Sequence, residues 1–212
     1  MSRTLAHAFR SLTGSLKTHL VVVAALAAPS LAHAAAWDID PAHSAAAFSV
    51  RHMMISNVRG EFGKVGGTIE WDGKKGSVDA TIDATTINTR DEKRDGHLKS
   101  PDFFDVAKFP TITFKSTKIV AHGGKLAITG DLTIHGVTRP VVVEAEVSRE
   151  TKDPWGMTRV GASGSTKINR KDFNLVWNKA LETGGVVVGE EVQITLDIEM
   201  TKRAPAAAAV TK

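Results

Sequence analysis

The side chains able to do chemistry are few and scattered. Beyond the first 34 residues the chain carries five histidines, His43, His52, His97, His122 and His135, and no two stand close enough to form the pair that one element offers to zinc or iron. Asp40, Ser44 and His52 supply the residue types of a hydrolytic triad. Ser44, however, lacks the strained Gly-x-Ser-x-Gly elbow that would expose its hydroxyl. Neither a metal site nor a catalytic set is expected. Arg90, Arg94, Arg170 and Asn178 differ in kind, because they stand in polar breaks flanked by aromatic residues. A cationic fork there can meet an anionic or carbonyl head group. The competing reading pairs Arg94 and Arg170 with Asp95, Asp102 or Asp172, so that they only fix their loops. His43 and His97 are both expected to tie loop backbones at the mouth of the barrel.

These groups need elements to hold them, and the chain divides into alternating runs and one long interruption. Ala46, Phe48, Val50 and His52 share one face of a strand. Val58–Phe62 and Thr68–Trp71 read as strands around a glycine break, and Val78, Ala80 and Ile82 share a face in the next run. Ile112 and Phe114 point inward from Thr111–Val120, and Leu126, Ile128, Leu132 and Ile134 stay in phase through Gly130. Further runs carry Val141 to Val147, Val160 to Ile168, and Val192 to Ile198, with a turn or short helix at Asn169–Asn174. Between residues 89 and 110 the period breaks. Asp91 is placed to cap about two windings of helix weakened by Gly96, and Ser100-Pro101-Asp102 opens a turn. Phe103, Phe104 and Phe109 follow, and three aromatics so close together need an apolar place to sit. The expected solution is a plug folded over the end of a β-structure with an apolar interior.

Composition narrows the function classes. Arg3, Arg10 and Lys17 precede the apolar run Leu20–Ala28 and the small-x-small pattern Ala32-His33-Ala34, which reads as a secretory signal peptide over residues 1–34. The apolar run is well short of the ~20 residues that span a bilayer. Removing it takes three of 27 basic residues and none of 23 acidic ones, so the charge falls from +4 to +1. The basic character is partly a targeting feature and gives no reason to expect nucleic acid. With no cysteine, disulfides, thiol chemistry and lipidation at an N-terminal cysteine are excluded. One domain over residues 35–202 and a disordered Ala-rich tail over 203–212 are expected.

Many short strands without a helix to cover them argue an all-β antiparallel sandwich or closed barrel. Small residues recur on the inward phase (Ala46, Ala80, Ala145, Ala162, Gly164). They either leave room for a ligand or sit at crowded strand crossings.

Five ordered blocks carry a resemblance. Asp40-Pro-Ala-His-Ser44 with Phe48-Ser-Val-Arg-His-Met53, Arg94 to Asp105 with Phe109-Pro110, Gly130 to Thr138, Ile168 to Phe173, and Gly184 to Val192 resemble the YceI-like family of bacterial lipid-binding proteins, from Trp37 to about Met200. The resemblance implies a lipocalin-like antiparallel β-barrel with the short helical insertion near residues 90–105. It further implies export to the periplasm and an elongated interior that holds a polyisoprenoid or another long amphiphile. No cofactor is implied other than a bound isoprenoid lipid or quinone. Homodimers are common in such a family, and a membrane enters only transiently as the source of lipid.

On this reading the cavity is lined by Phe48, Val50, His52, Ile82, Phe103, Phe104, Ile112, Phe114, Leu126, Ile128 and Trp177. The mouth carries Arg90, Arg94, His97, Arg170 and Asn178. Asn174 stands where the family has glycine and can take the same left-handed backbone, while the small Ala45–Ala47 run widens the expected cavity. The function implied is a carrier or sequestering protein rather than an enzyme, since no convergent titratable groups are found. The alternative is an accessory enzyme or stress-related factor acting on isoprenoid quinones.

Overall fold

The computed structural model describes residues 34–72, 75–182 and 184–204. The expected signal peptide therefore lies outside the described residues, apart from Ala34, as does most of the expected tail. β1 (Ala35–Ile39) begins directly after the expected cleavage point. Its five residues, Ala-Ala-Trp-Asp-Ile, show too short an alternation to be read from sequence. A turn at Asp40–Ser44 leads into β2 (Ala45–His52), followed by β3 (Ser56–Phe62), β4 (Val65–Trp71) and β5 (Gly76–Asp83). The insertion comes next, with α1 (Glu92–Lys99), and then β6 (Thr111–His122), β7 (Lys125–Ile134) and β8 (Val137–Val147). A short β9 (Thr151–Lys152), β10 (Thr158–Asn169) and β11 (Val188–Lys202) complete the chain.

The pairing closes on itself. β11 pairs with β1 through Trp37↔Lys202 and with β2 through Ala46↔Leu196, so β1 and β2 form one strand broken by the Asp40–Ser44 turn. β3 and β4 are its antiparallel neighbour, broken in the same way at Gly63–Lys64. From there β4, β5, β6, β7, β8 and β10 pair in sequence, and β10 returns to β11 over Arg159–Asn169. The result is an eight-stranded up-and-down antiparallel barrel. Closure chooses barrel over sandwich and leaves the inward phase of each strand facing one shared interior.

Chain direction puts four connections at one end of the barrel: the β2–β3 hairpin, the 84–110 insertion, the β7–β8 turn and the 170–187 connection. The insertion forms as its residues dictate. The Asp91 carboxylate accepts from the Arg94 N–H at 3.0 Å, and the helix runs eight residues through Gly96. Ser100 then stops it, its carbonyl accepting from the N–H groups of Phe103 and Asp105 at 3.0 Å each. Asn174 takes φ 60°, ψ 20° after the 3-10 turn Arg170–Phe173, the left-handed conformation a glycine would otherwise supply.

Two apolar clusters hold the ends. Phe62, Ile87, Ile112, Ile134, Phe173 and Leu175 pack beneath the insertion, and Trp37, Ile39, Val65, Val160 and Met200 pack at the opposite end. At that opposite end Arg203, assigned to the tail by sequence, is instead tied to β1. Its N–H donates to the Ala36 carbonyl at 2.8 Å and its guanidinium pairs with Asp38.

Candidate functional site

Between the two clusters the barrel encloses a cavity of about 240 Å³. Only Thr113, Thr166 and Arg170 among its lining side chains carry polar atoms. A water needs roughly 10–15 Å³ of such space and two or more polar partners, and this cavity supplies ample room with hardly any partners. The small inward residues divide into two kinds. Gly60 and Gly130 make room for aromatic rings, since a Cβ on either would stand 2.5 Å from Phe48 or Phe114. Ala80, Ala145, Ala162 and Gly164 border the cavity itself.

The structure brings Phe48, Val50, Ile82, Phe103, Phe104, Ile112, Phe114 and Ile128 together on that lining. Three expected residues fall elsewhere. His52 is one step past Val50, where β2 ends against Val188, and Leu126 is one step past Ile128, next to the hairpin at the opposite end. Both keep the inward phase, but alternation fixes only the face of a strand and says nothing of depth along the barrel. Trp177 stands outside, its ring 4.8 Å from His97 and 5.3 Å from Phe103. Phe109 also leaves the cavity and covers Gly136 and His135.

Of the residues expected at the mouth, Arg170 alone reaches the cavity. It is 3 % exposed. Its Nε donates to the Gly189 carbonyl at 2.8 Å and one Nη to the Val188 carbonyl at 3.3 Å, while the other Nη donates to the Leu175 carbonyl. No carboxylate lies among these partners, so Asp172 does not pair with it. Burial pushes its pKa down, and the charge of Glu190 only partly offsets this. Three of five guanidinium N–H groups are spent on backbone carbonyls, and Glu190 acts on the charge only from beyond salt-bridge distance.

The other mouth residues are spent on structure. Arg94 donates to the Thr89 hydroxyl and carbonyl at 2.8 Å each and stands 3.8 Å from Asp91. Asp95 takes the Thr89 N–H instead of pairing with Arg94. Arg90 lies on the outer surface beside Asn88 and Asp91 at a left-handed φ of 64°. Asn178 locks onto Val188, accepting its N–H at 3.0 Å and donating to its carbonyl at 2.7 Å. His97 bonds the Asp102 carboxylate at 2.8 Å, not a loop backbone.

At the opposite end Arg159 gathers carboxylates. It donates to Asp153 at 2.8 Å, to Asp40 at 2.9 Å and to Glu199 at 2.5 Å. His43 adds a bond to Asp40 at 2.9 Å, so it too ties a side chain and lies far from His97. Asp40, His43 and Glu199 come within 4.8 Å of one another, but the guanidinium already fills the place a cation would take. The His43 ring and the Ala42 N–H, with Arg159 behind them, hold the Asp40 carboxyl down to about 2. Ser44 is bonded to the Glu199 backbone, while His52 ends the strand that Ser44 precedes. At about 3.3 Å per residue the two are some 25 Å apart, and no triad forms.

A closed up-and-down β-barrel with an apolar interior is thus the class that fold and site define. The YceI-like domain matches residues 37–200. A UPF0312 protein of Vibrio parahaemolyticus is 41% identical over 157 residues, which cover 71% of this chain and 83% of that one. Among solved structures, BcnA of Burkholderia cenocepacia superposes with a TM-score of 0.66 at 27% identity, covering 76% of this chain and 98% of that one. The Campylobacter jejuni YceI protein gives a TM-score of 0.61 at 30% identity, covering 73% and 90%. A polyisoprenoid binding domain from Saccharophagus degradans shares the fold, with a TM-score of 0.62 at 16% identity over 80% of this chain and 99% of that one. The chain belongs to the YceI-like family.

Proposed function

We propose that this protein is an exported, periplasmic carrier or sequestering protein for a polyisoprenoid or similarly long amphiphile. The observation that carries the reading is the cavity of about 240 Å³ inside the closed ring of strands, with almost wholly apolar walls. Each CH₂ moved from water into such walls contributes about 0.8 kcal/mol, so a five-carbon isoprene unit contributes roughly 4 kcal/mol gross. Several units outweigh the cost of immobilising the lipid. The polyisoprenoid-binding domain of the same fold points the same way, and so does the signal-like segment 1–34 for export.

Affinity should therefore follow tail length. Titrating the delipidated protein with prenyl lipids of increasing length, read by calorimetry, tests this. Several units are expected to bind at micromolar Kd or better and a one-unit analogue not at all. Flat affinity along the series would refute the reading.

A further inference from the structure

The β2–β3 hairpin ends in Met53, Met54 and Ile55, which are 40%, 55% and 76% exposed. Met53 and Met54 both have positive φ, 50° and 63°, in a tight turn whose Ile55 N–H donates to the His52 carbonyl at 3.0 Å. Such a turn favours Asn-Gly, because glycine and short polar residues adopt the left-handed backbone with least strain. Here the chain gives up that turn chemistry and holds two thioethers and a branched alkyl chain in solvent.

The hairpin itself carries charge of one sign, and the glutamates beside it on β11, Glu190 and Glu191, are paired with Lys171 and Lys167. No acidic residue occurs between Asp40 and Glu61, and Arg51 and Arg59 are exposed on the two strands of the hairpin. Among the described residues neither arginine has a salt-bridge partner, and Arg51 makes one long bond, to Asn57 at 3.4 Å. The tip also adjoins the cavity. The Met53 N–H donates to the Val187 carbonyl at 2.8 Å, and Val50 and Val188 on the same two strands line the interior.

Another exposed apolar spot, Trp155 and Met157, lies at the opposite end in a loop with Glu150 and Asp153. Arg149 and Lys152 balance Glu150 and Asp153 in that loop, so it offers an anionic surface no net attraction.

We infer that the hairpin tip Met53–Ile55 docks in the headgroup layer of a bilayer containing anionic lipid, presenting this end of the barrel to the membrane that exchanges lipid with it. Apolar side chains enter the interface while the two arginines meet the lipid charge. The inference rests on the lipid-binding reading for its purpose, and its geometry stands apart from it.

The test uses the delipidated mature protein and two vesicle preparations, one of phosphatidylethanolamine with phosphatidylglycerol and one of phosphatidylcholine alone. With two arginines on the hairpin, binding to the anionic vesicles should exceed binding to the neutral ones by roughly tenfold or more. The triple variant Met53→Asn, Met54→Gly, Ile55→Ser should lose that binding. It should melt no lower than the parent, because the turn now has the residues it favours, and should bind a prenyl lipid in the cavity as before.

Since the chain has no cysteine, a polarity-sensitive dye can be attached through Ile55→Cys or Trp155→Cys, and only the former should shift to the blue on vesicles. Absent vesicle binding, unchanged binding by the variant, or a shift at position 155 alone overturns the inference. A dimer in sedimentation that the variant dissociates, with no vesicle binding, assigns the tip to a second copy and overturns it too. If prenyl lipid still fills the cavity in those cases, only the docking fails. If vesicles bind and no prenyl lipid does, the lipid-carrier reading fails instead.

Discussion

Each end of the barrel is built on an arginine, and the two are neutralised in opposite ways. Arg159 is held by three carboxylates, Asp40, Asp153 and Glu199, and keeps contact with solvent. Those bonds raise its already high pKa further. Arg170 is almost wholly buried, hydrogen-bonds only the carbonyls of Leu175, Val188 and Gly189, and is depressed by burial that Glu190 only partly offsets. The contrast shows which cation is sealed into structure and which still faces the cavity with charge to offer. A guanidinium already surrounded by carboxylates gains little from another anion. One balanced by backbone dipoles in an apolar wall interacts strongly with any carbonyl or anionic group brought beside it, because few competing dipoles screen it.

The largest expected effect follows from removing the buried arginine. Arg170→Ala leaves the Leu175 and Gly189 carbonyls without their side-chain donor near the join between β10 and β11, while the Val188 carbonyl keeps the amide of Asn178. Each unsatisfied buried acceptor costs about 1–3 kcal/mol, so the loss should reach about 3–5 kcal/mol in urea denaturation. Arg170→Lys should recover only part of it, since one ammonium cannot reach three acceptors as a planar fork does. A loss under about 1 kcal/mol for the alanine variant would show that the backbone is held by other means.

Arg159→Met should cost less, and the cost should shrink with added salt, because its carboxylates can turn to water. Lipid affinity should stay at the parent value, measured in the same prenyl titration. A drop in affinity would mean that the two ends communicate through the barrel.

A smaller effect separates the ends by pH. Asp40, held at about 2 in the folded state, contributes stability that is present above its unfolded value near ~4 and is lost as pH falls through about 2. Its partner His43 is raised by Asp40, so its contribution is present below about 6.5 and is lost as pH rises through the raised folded value. Asp40→Asn should flatten both limbs of the stability curve between pH 2 and 8, followed by thermal melting in a buffer series. An unchanged acid limb would remove Asp40 from the account.

The smallest effect is expected for Arg94→Ala. Its bonds stay within the Thr89–Asp91 loop, so prenyl affinity should change by less than about threefold, the scale of an exposed ion pair. A collapse of affinity would move the head-group site to the insertion.

Much of this molecule was determined by the sequence alone. Alternation at period two placed Phe48, Val50, Ile112, Phe114 and Ile128 on inward faces, because a strand has only two faces and water penalises the wrong one. Local chemistry likewise determined the Asp91 cap, the Ser100 stop and the left-handed Asn174, since each is settled within a few residues of chain. Depth, closure and partnership were decided only by the tertiary structure. Whether His52, Leu126 and Trp177 reach the cavity depends on how far the barrel extends beyond it. Whether Arg170 meets Asp172 or the distant carbonyls of Val188 and Gly189 depends on where β11 returns beside β10. The gathering of Asp40, Asp153 and Glu199 around Arg159 joins residues up to 159 positions apart, and nothing local marks it. Such arrangements follow from the order in which strands pair around the ring, a property of the closed barrel and of no single stretch within it.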